Sequence, residues 1–317
     1  MKIMEAIKLM NRVQTSIEYK VIDGKYEYYR NPLKNLESKY IYIPLSVIMD
    51  TELDVKRTAI FSYLRIHCGL NNIVGFTIPD IVEWCGGKPD RGMRGSNDKF
   101  LSIMDALNDR GYLTYLAKRS RSSYMKCEFN TDYYFEECSD GYAVLYLDEI
   151  NKIMNYKKEG SESTSLNNAT ILLVFAYFRN KIKRRPNELK PEERNSDGIG
   201  KRKKRVPDAY YGNVNDIADE IGISFKTLSK IIDILEYDLE LIVTDRPYRI
   251  KNEDDEFRTP PTIFANSYKR EDKYLLSTGK DYGRNEIELK VENIKQLYPN
   301  YAIDKRKRKM KGVNDIE

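Results

Sequence analysis

Two periodicities of apolar positions organise this chain. Helical spacing, with apolar residues three and four apart, places Val214, Ile217, Ala218 and Ile221 on one face and Leu228, Ile231, Ile232 and Leu235 on another. Gly222 between them can end the first helix at a positive φ, and Ser224 is suited to cap the second. The same spacing predicts a helix through Phe100, Ile103, Met104 and Leu107, capped by Ser96 and stopped by Gly111. A shorter helix before it is bracketed by Thr77 as N-cap, Pro79 in its first turn and Gly86 at its end. Short apolar or alternating runs predict strands at 40–43, 112–116, 124–129, 142–146 and 238–245. Residues 17–29 read as a hairpin turning at Asp23 and Gly24, and Ile3, Ile7, Met10, Val13 and Ile17 recur at helical spacing.

The helix pair over 213–235 carries the most information. A small Ala218, Gly222 four residues on, and apolar Leu228 and Ile231 six and nine beyond the glycine form the pattern of a helix-turn-helix. In that motif the second helix lies in the DNA major groove. The pattern leaves Ser224 at the helix N-terminus and turns Lys226, Thr227, Ser229 and Lys230 outward. After the strand at 238–245, Arg246-Pro-Tyr-Arg-Ile-Lys, with Arg246 and Arg249, would form a wing. On these residues the stretch resembles the winged-helix transcription and replication factors of bacteria, their plasmids and their phages.

A second copy is expected upstream. Tyr40-Ile-Tyr-Ile-Pro-Leu-Ser-Val-Ile and Tyr142-Ala-Val-Leu-Tyr-Leu-Asp-Glu-Ile share a strand-like opening, with Leu45 and Ile48 matching Leu147 and Ile150. In the apolar helices that follow, Phe61, Tyr63 and Arg65 match Phe175, Tyr177 and Arg179. We therefore expect two copies of one unit. The first carries Lys88, Arg91 and Arg94 in a long turn and Lys118, Arg119 and Arg121 at its wing tip, cations that could hold phosphates, the alternative being that this copy serves protein contacts. Asp98, Asp105 and Asp109 lie on the outer face of its second helix and would repel a phosphate backbone, so this helix is not expected to enter the groove.

Charge adds two elements. The 54 basic and 49 acidic residues leave a net charge of +5, an excess whose distribution matters more than its sum. Lys201, Arg202, Lys203, Lys204 and Arg205 lie in an insertion at 186–209 that is rich in charge, Gly and Pro, and a second basic run occupies 305–311. Both are expected to track phosphates without regard to sequence. Hydrophobic residues at 41% imply a globular chain of two or three domains. Four cysteines with no C-x-x-C pair, no apolar run long enough to span a bilayer and no secretory signal imply a soluble cytoplasmic protein with no membrane partner.

Catalytic patterns are missing. One histidine, His67, cannot build an H-E-x-x-H zinc site, the histidine pair of nicking initiators or the His-x-x-Arg of tyrosine recombinases. Lys88 and Lys201 follow glycines, but Val82 and Asn195 stand where a phosphate loop needs its first glycine. The acidic run Glu253-Asp-Asp-Glu reads as a solvated loop. No enzymatic activity, cofactor or metal is expected.

The resulting expectation is an α+β, mainly helical chain: an N-terminal helix and hairpin at 1–36, winged helices at 37–135 and 139–268, and a basic tail at 269–317. Two winged helices in series resemble plasmid and phage replication initiators, which implies double-stranded DNA and host replication proteins as partners. Regulation of transcription, or non-enzymatic assembly on degenerate winged helices, are the alternatives. The N-terminal apolar repeat could pack on its own chain or pair two chains as a homodimer.

Overall fold

The computed structural model describes residues 17–22, 25–30, 40–69, 72–90, 92, 95–157, 167–182, 209–246, 250–251, 257–258, 261–267 and 282–295. About half of them are helical, and the strands form small antiparallel sheets, an α+β architecture. In chain order the elements are β1 (Ile17–Ile22), β2 (Lys25–Arg30), β3 (Tyr40–Pro44), α1 (Leu45–Met49), α2 (Arg57–His67), β4 (Ile73–Phe76), α3 (Ile78–Trp84), α4 (Ser96–Asp109), β5 (Leu113–Tyr115), β6 (Met125–Phe129), α5 (Thr131–Ser139), β7 (Tyr142–Tyr146), α6 (Leu147–Met154), α7 (Asn168–Ile182), β8 (Ala209–Gly212), α8 (Val214–Ile221), α9 (Phe225–Asp233), β9 (Ile242–Asp245), β10 (Ile250–Lys251), β11 (Phe257–Arg258), β12 (Thr262–Asn266) and α10 (Tyr282–Lys295). The chain divides into two compact units, the first running through Asn180 and taking in Glu220–Ile223, the second beginning at Lys181 and resuming at Ser224. The helix expected from Ile3 to Val13 lies outside the described residues.

In the first unit, β1 and β2 pair with Ile17 opposite Arg30 and Ile22 opposite Lys25, as the hairpin reading requires. The two matched openings, β3 and β7, pair with each other, Tyr40 opposite Tyr146 and Pro44 opposite Tyr142. Alternation buries Ile41, Ile43, Ala143 and Leu145 on one face and leaves Tyr40, Tyr42, Tyr142 and Tyr146 half-buried on the other. This pairing, with α6 and most of α7, draws 142–180 into the first unit rather than into a domain beginning at 139. The cause is visible in α7, which is apolar all round. From Ala169 to Phe178 every residue is buried, so this helix needs cover on all sides.

The matched residues of α2 and α7 agree at the phenylalanines and differ at the arginines. Phe61 and Phe175 are fully buried. The Arg65 guanidinium lies 5.0 Å from the Phe129 ring centre and 4.6 Å from that of Tyr134, while Arg179 lies 5.0 Å over Phe175 and pairs with buried Glu149. Arg57, at the start of α2, is buried without a carboxylate partner and donates instead to the carbonyls of Val47, Ile48 and Leu53 at 2.7–3.2 Å. Burial pulls its pKa down to about 10, against the opposing pull of Asp50 and Asp54.

The rest of the first unit is α3 and α4 followed by a sheet in the order β4-β6-β5. Thr77 caps α3 by accepting from Asp80 N at 3.2 Å, and Asp80 returns the bond, a capping box as the sequence implies. Phe100, Ile103, Met104 and Leu107 are buried, and Gly111 ends the segment at φ 82. Helix α5 is not among the elements the sequence predicts.

The second unit repeats that succession. Strand β8 leads into α8 and α9, then β9, a two-residue ribbon of β10 with β11, and β12, with the sheet ordered β8-β12-β9. Gly222 takes φ 76 between the helices, where a side chain would be strained. The tail reading needs correction: α10 packs on this sheet, burying Ile287 and Val291 with Ala209, Ile263 and Ala265, and Val243 partly. Ile287, Val291 and Ile294 recur at helical spacing within this charged segment, so the helix has a local signal that its basic flank at 305–311 obscures.

Candidate nucleic-acid interface

Helix α9 begins on Ser224, whose side chain accepts from Thr227 N at 3.1 Å and lies 2.8 Å from Thr227 Oγ1. Two of the residues expected to face DNA are thus engaged in capping the N-terminus of the helix. Leu228, Ile231 and Ile232 turn inward as the spacing predicts. Lys226 and Lys230, one helical turn apart, are exposed, and Ser229 is half-buried. Neither lysine has an ion-pair partner among the described residues.

Beyond Asp233 the chain departs from the expected strand at 238. Ile234–Asp238 continue the helix as a widened π turn, closed by Leu239 N to Ile234 O at 2.8 Å, and the strand starts at Ile242. Leu235 within this turn and Leu239 at its close are buried, and Leu241 is buried after the chain reverses. Glu240 makes the reversal at φ 50.

The wider turn aims Glu236 at β9. Its carboxylate accepts from Thr244 N at 2.8 Å and Thr244 Oγ1 at 2.6 Å. Arg246 Nη2 stands 2.6 Å from Asp233 and 3.6 Å from Glu236. Burial pushes the Glu236 carboxyl above its ordinary range even though Thr244 and Arg246 favour its charge. Arg246, expected in a phosphate-binding wing, instead ties strand to helix. Arg249 lies outside the described residues.

The first unit uses the same device twice. Arg121 Nε lies 2.9 Å from Asp98, and Arg119 pairs with Asp105, which also accepts from the Tyr115 hydroxyl at 3.0 Å. Desolvation and Asp105 together hold the Tyr115 hydroxyl protonated far above its usual range. Two of the three carboxylates expected to repel phosphate, Asp98 and Asp105, are therefore held by arginines expected to bind it. Asp109 and Lys118 are exposed.

The long turn before α4 is fastened rather than loose at its described ends. Ser96 does not cap α4, whose N-cap is Gly95. Its hydroxyl donates to Lys88 O at 2.6 Å and accepts from Asp90 N at 2.8 Å. Buried Asn97 accepts from Asp90 N at 3.2 Å and donates to Arg121 O at 3.0 Å, joining this turn to the segment between β5 and β6. The Lys88 side chain is exposed, and Arg91 and Arg94 lie outside the described residues, as do Lys201, Arg202, Lys203, Lys204, Arg205 and the run at 305–311.

Two exposed groups escape the sequence reading. Phe225, the first residue of α9, is 53% exposed. Its position directly after the expected cap is signal enough to find it. The Tyr124 ring lies across Gly75 and would have to swing aside for any side chain there, and Lys126 Nζ stands 6.0 Å from its ring centre. That contact between strands cannot be read from either residue. His67 is structural: its ring stacks on Tyr63 at 4.1 Å, and Nδ1 lies 2.8 Å from Tyr63 O.

Among the described residues no three His, Cys, Asp or Glu side chains are grouped to hold a metal, and no helix is long and apolar enough to cross a membrane. Comparison with protein-family models, with curated proteins and with solved structures returned no match.

Proposed function

We propose that this chain binds duplex DNA through two winged helices, the second selecting the sequence, and serves as a replication initiator of the plasmid or phage type. The observation that carries the reading is the repeated topology. In each unit one strand, two helices, a second strand, a wing and a third strand follow in order, and the third strand lies between the other two. A winged helix needs that arrangement, because it sets the second helix on the face that meets the groove.

Base selection falls to α9. Lys226 and Lys230 are the exposed cations of its groove-facing side, without ion-pair partners among the described residues, and lysine can donate to guanine O6 and N7. The first unit offers Lys88 and Lys118 for phosphates, while Arg119 and Arg121 are spent on Asp105 and Asp98. Those internal pairs favour a second role for the first unit, contact with a host replication protein rather than base reading. Initiation itself rests on the resemblance of two winged helices in series, and a transcriptional regulator would share every feature of the DNA contact.

Selection of sequences bound by the full chain from a random duplex pool tests DNA binding. Repeats so selected, placed on a plasmid lacking its own origin, should permit replication when the protein is supplied. A selected site that only represses an adjacent promoter assigns the protein to regulation instead.

A further inference from the structure

Phe225 is the one large apolar side chain of α9 that the fold does not bury. Leu228, Ile231 and Ile232 on the same helix are at most 2% exposed, whereas Phe225 is 53% exposed. It stands at the first helical position, and helical side chains lean toward the N-terminus, so its ring projects beyond the end of the helix. Lys226 follows it and Lys230 lies one turn on, both exposed and without carboxylate partners among the described residues. The nearest acid along α9, Asp233, is held by Arg246.

An exposed aromatic ring beside two cations fits an apolar group set in a polyanion. In the major groove the only such group is the C5-methyl of thymine. We propose that Phe225 is a specificity-determining residue that packs on a thymine methyl at the end of α9. The inference rests on the duplex-binding reading and adds a base to it: the preferred site contains a thymine adjoining the bases read by Lys226 and Lys230. Phe225 touches no hydroxyl, amide or phosphate in this role, so its contribution is removal of the methyl from water.

The test uses the full chain and the duplex it selects. Each thymine of that duplex is replaced in turn by uracil, which removes the methyl and leaves base pairing intact. One replacement should weaken binding by about fourfold, the equivalent of one buried methyl. The same replacement should have no effect on Phe225→Ala, while Phe225→Leu should keep part of it. Phe225 is exposed, so both variants should unfold at the wild-type urea concentration, and that measurement accompanies the binding data. Wild-type binding that is indifferent to every uracil replacement overturns the inference while leaving the duplex-binding reading standing. The inference also falls if Phe225→Ala changes self-association of the chain and not its preference for thymine. Failure of the wild-type chain to bind any duplex at low salt overturns both.

Discussion

Arg121 Nε stands 2.9 Å from the Asp98 carboxylate, so the segment between β5 and β6 is tied to α4, the helix whose outer face carries Asp98. Arg119 and Asp105 repeat the pairing further along the same helix. Asp98→Asn and Asp105→Asn keep shape and remove charge, leaving both arginines available to phosphates. The double variant should bind duplexes of any sequence more tightly and steepen the salt dependence by about 0.9 in log–log slope for each additional phosphate neutralised. Titration at several salt concentrations measures this directly. An unchanged slope would show that the first unit does not approach the backbone.

Under the proposed function the second unit makes the opposite use of α9, whose outward lysines meet the bases. Lys226→Ala or Lys230→Ala should weaken binding to the preferred site by about 1–3 kcal/mol for a lysine that reads a base. Random duplex should lose much less. Equal losses on both would reduce these lysines to phosphate contacts.

Glu236 should make stability depend on pH in an unusual direction. Its folded pKa is raised by burial, so between the ordinary carboxyl value of 4.5 and the raised value the folded state holds more protons than the unfolded state. Its contribution to stability is fully present below 4.5 and is lost as pH rises through the folded value. Glu236→Gln keeps an acceptor for Thr244 N, and its amide can donate to Thr244 Oγ1. In that variant the decline over this window should vanish. Urea unfolding measured across the window, wild type against variant, checks the sign. A decline of equal size in both would place the titrating group elsewhere.

The helix Tyr282–Lys295 should matter to stability in spite of its charged surroundings. Ile287 is 3% exposed against the sheet of the second unit, so Ile287→Ala should cost about 2–5 kcal/mol by urea unfolding. A cost below about 0.5 kcal/mol would mean that the sheet is covered by something else.

What can be read in advance follows the strength of local signals. The pair α8 and α9 is legible because Gly222, Ser224 and two apolar stripes agree at every level. The π turn at Ile234–Asp238 is not, because Leu235, Leu239 and Leu241 satisfy either a strand or a continuing helix, and the choice depends on what Glu236 finds across from it. Strand β8 and the pairing of β3 with β7 escape as partnerships for a similar reason. A strand's own residues fix its face but not its neighbour.

The candidate site divides the same way. Exposure of Lys226 and Lys230 follows from helical periodicity alone. The pairing of Arg119, Arg121 and Arg246 with acids 13 to 23 positions away depends on how the chain curls back after a strand, which no local pattern encodes.

Selection from a random duplex pool with the full chain, run in parallel with Lys226→Ala/Lys230→Ala, decides whether α9 reads bases. The wild type should enrich a defined sequence, and the variant should retain low-salt binding to DNA while losing that enrichment. A wild-type chain that enriches no sequence, or a variant that enriches the same sequence as strongly, would contradict base reading by this helix.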